Sequence, residues 1–386
     1  MKEEIDKDTL QQALDNTMHL FPMYNVILRR GLFWYYFEHT DLKPEVIEES
    51  RLPCSMLYIP NRKNLLFQVS YYKKRINLEM YHALADGTGA LAFLNTLVYY
   101  YIIIKHRDDF GDKLPKQDYD ASFDQKMDDS FLRNYDGNKK LDKIKVSKAY
   151  HIQGRRFIDN RLKIIEGCMS VQEVLKLAHK YDTTLTIYLT ALFIKAIYMD
   201  MPARGRKLPV VLSVPVNLRN YFPSVTARNF FATIKISYDF SKNSDKLEDI
   251  INSVKESFSQ ELTEEKLRTH INRLSALEHN AFMRLVPLVI KDYVLRFANH
   301  LSNRGITAAL SNIGRVKVAK ELVPYINLYD CFTSARRPQI CMLSFEDKLV
   351  ISFASPFSST DIQKNFFRVL SEAGVDIVIS TNVKDL

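Results

Sequence analysis

The sequence predicts an α+β fold, an α/β sandwich built as two halves that each combine a mixed β-sheet with helices. Three observations carry this expectation. At 386 residues the chain exceeds what one hydrophobic core usually fills, so two domains are expected. Stretches of period two alternate with stretches of helical period, and an apolar content of 46% suffices for sizeable cores. Residues 106–150 interrupt that alternation: they are dense in Asp and Lys, with Gly111, Pro115 and Gly137 as breakers and no sustained periodicity. Read as a crossover, that stretch places an N-terminal half at 1–150 and a C-terminal half at 151–386.

In the first half, residues 10–20 predict an amphipathic helix with Leu10, Leu14, Met18 and Phe21 on one face, ended by Pro22. Residues 26–38 are rich in Phe, Trp and Tyr, which suits one strand covered on both sides. Arg29 and Arg30 beside those rings would also suit a nucleic-acid platform, but an aromatic strand is far more often core, so nucleic acid is not expected as a partner. Residues 55–59 and 65–72 read as further strands, the first turned by Pro60-Asn61. Ile76, Leu78, Met80 and His82 then share one face at period two, so a strand delivers a histidine at its end. Asp86-Gly87 reads as a turn, and from Thr88 on Leu91, Leu94, Leu97, Val98 and Tyr101 recur at helical spacing.

In the second half, Ser170 and Glu173 have the form of a capping box ahead of Val174, Leu177 and Ala178. Residues 183–199 predict a more apolar helix, and 209–214 and 233–238 buried strands. Between those strands, Asn217-Leu218-Arg219 and Phe222-Pro223-Ser224 form a loop of hydrogen-bonding side chains, a site edge or ordinary turn chemistry. Residues 247–258, 266–277 and 282–301 read as helices, the last tolerating Pro287 early on. A strand at 307–310 runs into Ser311-Asn312-Ile313-Gly314. Residues 339–345 and 349–353 make a hairpin, 361–373 a helix stopped by Gly374, and 375–380 a closing strand.

Composition narrows the function. The net charge of +9 suits nucleic acid, an anionic membrane surface or a polyanionic small molecule alike. The basic clusters, such as Lys73-Lys74-Arg75, Lys139-Lys140 and 204–207, are scattered and carry no nucleic-acid motif, so a solvated surface explains most of them. Cys54, Cys168, Cys331 and Cys341 are too few and too scattered for a disulfide framework or a zinc site, and no metal is expected. The charged start lacks the apolar region of a signal peptide. The most apolar run, 91–104, is short for a bilayer and contains Asn95 and Thr96, so it reads as a buried helix rather than a transmembrane segment. These features predict a cytoplasmic protein.

His82 concentrates the chemistry. A histidine at a strand end before an Asp-Gly turn is, on its own, more often a hydrogen-bonded residue at a core rim than a catalyst. Two features weigh the other way. None of the other eight histidines has an Asp four residues later, and the loop after His82 has two glycines in three residues, giving a ligand room to approach the backbone.

His82-Ala-Leu-Ala-Asp86-Gly87 resembles the His-x-x-x-Asp-Gly motif of the chloramphenicol acetyltransferase-like superfamily, which includes alcohol acetyltransferases, BAHD acyltransferases and the condensation domains of peptide synthetases. Further stretches resemble the superfamily's bacterial alcohol acetyltransferase-type members in the same order: Phe21-Pro22 with Leu28 through Tyr36, then Val214-Pro215-Val216-Asn217-Leu218-Arg219 with Phe222-Pro223-Ser224 and Asn229-Phe230-Phe231, then Leu310-Ser311-Asn312-Ile313-Gly314. Two departures set this chain apart. Tyr81 stands where chloramphenicol acetyltransferases and condensation domains usually carry another histidine, and the second BAHD signature, Asp-Phe-Gly-Trp-Gly, is absent.

The resemblance implies two related subdomains with an active-site tunnel at their interface. It implies transfer of an acyl group, acetyl or short-chain, from acyl-coenzyme A as co-substrate to an alcohol or amine, with no bound cofactor. His82 would be the general base, and no serine or cysteine nucleophile is needed if that base delivers the acceptor directly. Asp86 would turn away from the imidazole and pair with an arginine, for which Arg29, Arg30 and Arg219 are candidates, and Gly87 would keep space open beside the ring. Candidate oxyanion or substrate contacts are Asn217, Ser311, Asn312 and a backbone N–H of the glycine loop. A carrier-protein thioester as donor, and a ligand-binding member of the fold without turnover, are the competing expectations.

Overall fold

The structure, a computed structural model, describes residues 1–60, 62–111, 113–117, 121–137, 148–157, 161–279 and 284–383. The helix Lys7–Leu20 opens the chain, its N-terminus capped by Asp6, whose side chain accepts from the Thr9 N–H at 2.8 Å. Leu10, Ala13 and Leu14 bury its apolar face in a core shared with the helix Gly87–Lys105. Next come β1 (Val26–Arg30) and β2 (Tyr35–His39), an antiparallel hairpin. A three-stranded sheet follows: β3 (Ile47–Glu48) runs parallel to β4 (Phe67–Tyr72), which pairs antiparallel with β5 (Arg75–Met80).

The larger sheet has seven strands. These are β6 (Lys163–Ser170), β7 (Val210–Asn217), β8 (Phe231–Tyr238), β9 (Ala308–Arg315), β10 (Gln339–Phe345), β11 (Lys348–Ser355) and β12 (Val378–Thr381). Their order in the sheet is β12-β6-β11-β10-β9-β7-β8, with β9 parallel to both β7 and β10. The helices Val171–Lys180, Leu185–Asp200, Leu247–Glu261 and Asp361–Glu372 close one face with a core that includes Phe193, Ile197, Ile250, Phe353 and Phe366. On β8 the alternation is complete: Ala232, Ile234, Ile236 and Tyr238 are buried, while Thr233, Lys235 and Ser237 are exposed. The core around the two N-terminal helices also takes in Val316, Leu322, Ile326, Tyr329, Leu343 and Phe345 from far along the chain.

Several expectations are corrected. The aromatic stretch 26–38 is a hairpin, because Gly31 donates its N–H to the Trp34 carbonyl at 2.9 Å and reverses the chain; its second strand is exposed, not covered on both sides. Residues 55–59 form no strand despite their β-favouring composition, since no neighbour pairs with them; Asn61 lies outside the described residues. The strand at 75–80 stops at Met80, so His82 sits in a turn two residues beyond it, exposed rather than occupying a core position. Asp86 is the N-cap of the helix that follows, not merely a turn residue. Pro287 precedes the helix Leu288–Asn303 as its N-cap instead of lying inside it, and 280–283 fall outside the described residues. The crossover holds short helices at Arg107–Phe110, Phe123–Met127 and Ser130–Arg133; Lys139-Lys140 is outside the described residues.

By length and composition the helix Gly87–Lys105 could cross a membrane. It is packed instead: Phe93, Leu97, Tyr101 and Ile102 are buried against the first helix and β4.

Candidate active site

The loop between β5 and the helix Gly87–Lys105 carries His82 and is fixed from both ends. At its start, the Tyr81 N–H donates to the Leu66 carbonyl at 2.8 Å, one rung past the end of the β4–β5 ladder. At its end, Asp86 is 6% exposed and accepts four hydrogen bonds. Oδ1 takes the Gly89 N–H at 3.0 Å and Arg219 Nη2 at 3.3 Å; Oδ2 takes Arg219 Nη1 at 2.7 Å and the Phe230 N–H at 2.8 Å. A carboxylate has about four lone-pair sites, and all are spent here, so Asp86 has none left to orient an imidazole.

Arg219 is equally committed. Beyond Asp86 it donates to the carbonyls of Thr226 at 2.9 Å and Arg228 at 2.6 Å, and to Asn217 Oδ1 at 3.2 Å. The other two arginines are elsewhere: Arg29 pairs with Glu38 at 2.5 Å, and Arg30 lies 3.8 Å from Asp292. Burial makes the Asp86–Arg219 pair costly to desolvate, and the bidentate geometry with satisfied remaining atoms is what offsets that cost.

The elements beyond residue 151 therefore hold the loop in shape. Asn229 donates from Nδ2 to the His82 carbonyl at 2.9 Å and the Ala83 carbonyl at 3.3 Å. The His82 ring itself is exposed, with its centroid 5.5 Å from that of Phe231 at the start of β8. Asn217 donates to Thr88 Oγ1 at 3.2 Å while its own oxygen accepts the Arg219 N–H at 3.1 Å. Gly89 faces the Ala227 carbonyl so closely that a Cβ there would lie 2.1 Å from the oxygen.

On the other side of the loop, β9 carries one extra residue. Asn312 stands opposite Met342 and Gly314 opposite Leu343, so Ile313 is bulged out. A Cβ on Gly87 would come within 2.6 Å of Ile313 Cδ1, so the space beside this glycine is taken by Ile313. Asn312 donates to Thr186 Oγ1 at 2.8 Å and accepts the Gly314 N–H at 2.8 Å. Ser311 pairs with Cys341 across β9 and β10. A cavity of about 470 Å³ opens beside the same strand end, lined by Asn312, Arg315, Gln172, Leu185 and Glu346 among others; His82 does not line it.

No cysteine offers a ready nucleophile among the described residues. Burial pushes the Cys54 thiol up to about 12 and also raises Cys168, while the neighbouring Cys341 and burial raise Cys331. Cys341 is buried. No cluster of three or more metal-ligating side chains occurs among the described residues.

Asn229, the Phe230 N–H, Ile313 and Thr226 shape this site without having been singled out for a role in the sequence. Asn229, Phe230 and Ile313 all lie in stretches that carry the family resemblance, which is the available signal; that Ile313 reaches Gly87 follows from a bulge that no residue pattern announces.

No family model matches the chain, and no curated protein matches it. Solved structures do. Polyketide synthase associated protein 5 from Mycobacterium tuberculosis is similar at a TM-score of 0.62 and 12% identity, over 96% of this chain and 90% of that one. The first condensation domain of the calcium-dependent antibiotic synthetase, in complex with a substrate analogue, matches at 0.58 and 13%, over 97% and 89%. TRI101 of F. sporotrichioides, complexed with coenzyme A and T-2, matches at 0.56 and 10%, over 96% and 91%. Over nearly its whole length this chain therefore shares the fold of these structures, a condensation domain and a coenzyme A complex among them, which is the two-lobed fold expected from its resemblance to the chloramphenicol acetyltransferase-like superfamily.

Proposed function

We propose that the protein is an acyltransferase that moves an acetyl or short acyl group from coenzyme A to an alcohol, with His82 as the base that takes the acceptor's proton. The observation that carries this reading is the division of labour in the motif loop. Asp86 and Arg219 are buried and spent on holding the loop, while the imidazole they present is exposed and its ring is left to solvent and Phe231. An exposed ring held by so much buried hydrogen bonding suits a group kept for chemistry rather than for packing.

The remaining requirement is a donor set for the tetrahedral oxyanion. Asn217 and Asn312 already spend amide N–H groups on Thr88 and Thr186. Each amide nitrogen has a second N–H, so the candidate donors are still Asn217 and Asn312, together with Ser311 and the first-turn N–H groups of Gly87 and Thr88, which sit at the positive end of the helix Gly87–Lys105. With the thiols pushed up, direct attack by the acceptor on the thioester, without an acyl-enzyme, is the route that these residues support.

Likeness to a structure containing coenzyme A and to condensation domains leaves two donors in view, a coenzyme A thioester and a carrier-protein thioester. A thiol-release assay over a panel of acyl-coenzyme A donors and alcohols tests the first directly. Release of free coenzyme A that depends on the alcohol supports the proposal. Release from a carrier-bound thioester alone replaces the donor, and ligand binding without product replaces the enzyme by a binding protein.

A further inference from the structure

The helix Leu288–Asn303 is turned the wrong way round for a protein surface in water. Ile290, Tyr293, Val294, Phe297 and Leu301 recur at steps of three and four and so share one stripe, yet they are between 37% and 72% exposed. The side that meets the protein is set instead by Leu288 and Lys291, both buried. The seat is the β1–β2 hairpin. Leu288 donates its N–H to the Leu32 carbonyl at 2.8 Å, and Lys291 donates to the Phe33 carbonyl at 2.9 Å with its Nζ 3.4 Å from the Trp34 ring centroid. Asp292 accepts from the Tyr35 hydroxyl at 3.2 Å and lies 3.8 Å from Arg30.

The hairpin adds to the exposed apolar surface. Leu32, which abuts the start of the stripe, is 82% exposed, and Phe33, Trp34, Tyr36 and Phe37 are each at least 40% exposed. So many exposed apolar side chains on two elements packed against one another mark a place where something docks. Its chemistry is specific. Aromatic side chains of mixed polarity dominate it, as at the edge of a bilayer, and its charge is one-sided. In the segments 26–39 and 284–304 the two acidic side chains, Glu38 and Asp292, are matched by Arg29 and Arg30, and Lys291 is buried, which leaves Arg284, Arg296 and Arg304 as the exposed charges beyond those pairs.

We infer that this face docks on the surface of an anionic lipid bilayer, with the helix Leu288–Asn303 lying in the interface and the hairpin tip inserted beside it. A second copy of the chain is the other occupant with an apolar face to offer. A two-fold interface would bring together two faces of the same net positive charge, whereas anionic headgroups complement that charge.

The test uses the full chain with vesicles of phosphatidylcholine, alone or with phosphatidylserine added, in a co-sedimentation assay. Trp34 is the protein's one tryptophan, so intrinsic emission reports on the hairpin. Binding to the anionic vesicles, a blue shift of Trp34 emission and weakening by salt are expected. Paired Val294→Glu and Phe297→Glu changes should lower partitioning at least about tenfold. Their thermal midpoint should not move, because both side chains are already exposed. Arg296→Glu should weaken binding to the anionic vesicles only. Absence of binding to either vesicle, binding indifferent to these variants, or concentration-dependent dimerisation that they abolish would each overturn the inference. None of these readouts depends on turnover of any acyl donor.

Discussion

Arg219 and Asp86 meet at 2.7 Å although 133 residues of chain separate them. This contact fastens the N-terminal motif loop to the strands beyond residue 151, and it is buried on both sides. Removing one partner strands the other as an uncompensated buried charge, which typically costs about 3–5 kcal/mol. Asp86→Ala and Arg219→Ala should each lower stability by that order in denaturant unfolding. The double variant should lose clearly less than the sum of the two, because each single change has already broken the same network. Additive losses would mean that the pair contributes little to holding the loop.

His82 predicts the opposite pattern. Its side chain is exposed, and its backbone carbonyl, which accepts from Asn229, survives substitution. His82→Ala should therefore change stability by no more than about 0.5 kcal/mol. As the proposed base its loss should slow thiol release by roughly 10²- to 10⁴-fold. A variant that folds equally well and turns over at the parent rate would remove His82 from the reaction.

What the residues alone revealed, and what they hid, follows from the range of the interactions involved. Periodicity and caps are local, so the helices at 7–20, 171–180 and 361–372 and the β10–β11 hairpin were legible. The reversal at Gly31 was masked by aromatic residues on both sides that fit a continuous strand equally well. The strand expected at 55–59 failed because propensity cannot supply a pairing partner. At the site, the sequence offered three arginines for Asp86 and no means of choosing. The choice is made by the loop after β7, which brings Arg219 back against Thr226, Arg228 and Asp86 together. Ile313 was equally out of reach, since a one-residue shift in the β9–β10 register decides where it points.

The two glycines of the loop should respond differently to alanine. At Gly89 the added Cβ would meet the Ala227 carbonyl oxygen at 2.1 Å, a backbone atom that cannot move without the strand connection moving too. At Gly87 it would meet Ile313 Cδ1 at 2.6 Å, the far end of a flexible side chain. Gly89→Ala should therefore cost at least about 3 kcal/mol, and Gly87→Ala about 1 kcal/mol. Ile313→Val in the Gly87→Ala background should recover part of that loss, as seen in thermal unfolding, while Ile313→Val should do nothing for Gly89→Ala. Rescue of both, or of neither, would contradict the packing described for the bulge.

Asp330 gives the protein a stability that depends on pH. Burial first and then the Glu166 carboxylate push its carboxyl up to about 7, although the Ser352 hydroxyl donates to Oδ1. An acid raised in the folded state binds its proton more tightly there than in the unfolded chain, where it titrates near 4. Between about pH 4 and pH 7 the unfolded chain loses that proton while the folded one keeps it, so stability falls as pH rises, by at most about 1.4 kcal/mol per pH unit, and levels off above 7. Asp330→Asn keeps an oxygen for Ser352 and removes the titration. Its unfolding free energy should be flatter than the parent's across that window and higher than the parent's at pH 8. Glu166→Gln should shift the parent's decline to lower pH, because the repelling carboxylate is gone while the burial is not. An Asp330→Asn variant with the parent's full pH slope would place the titrating group elsewhere in the fold.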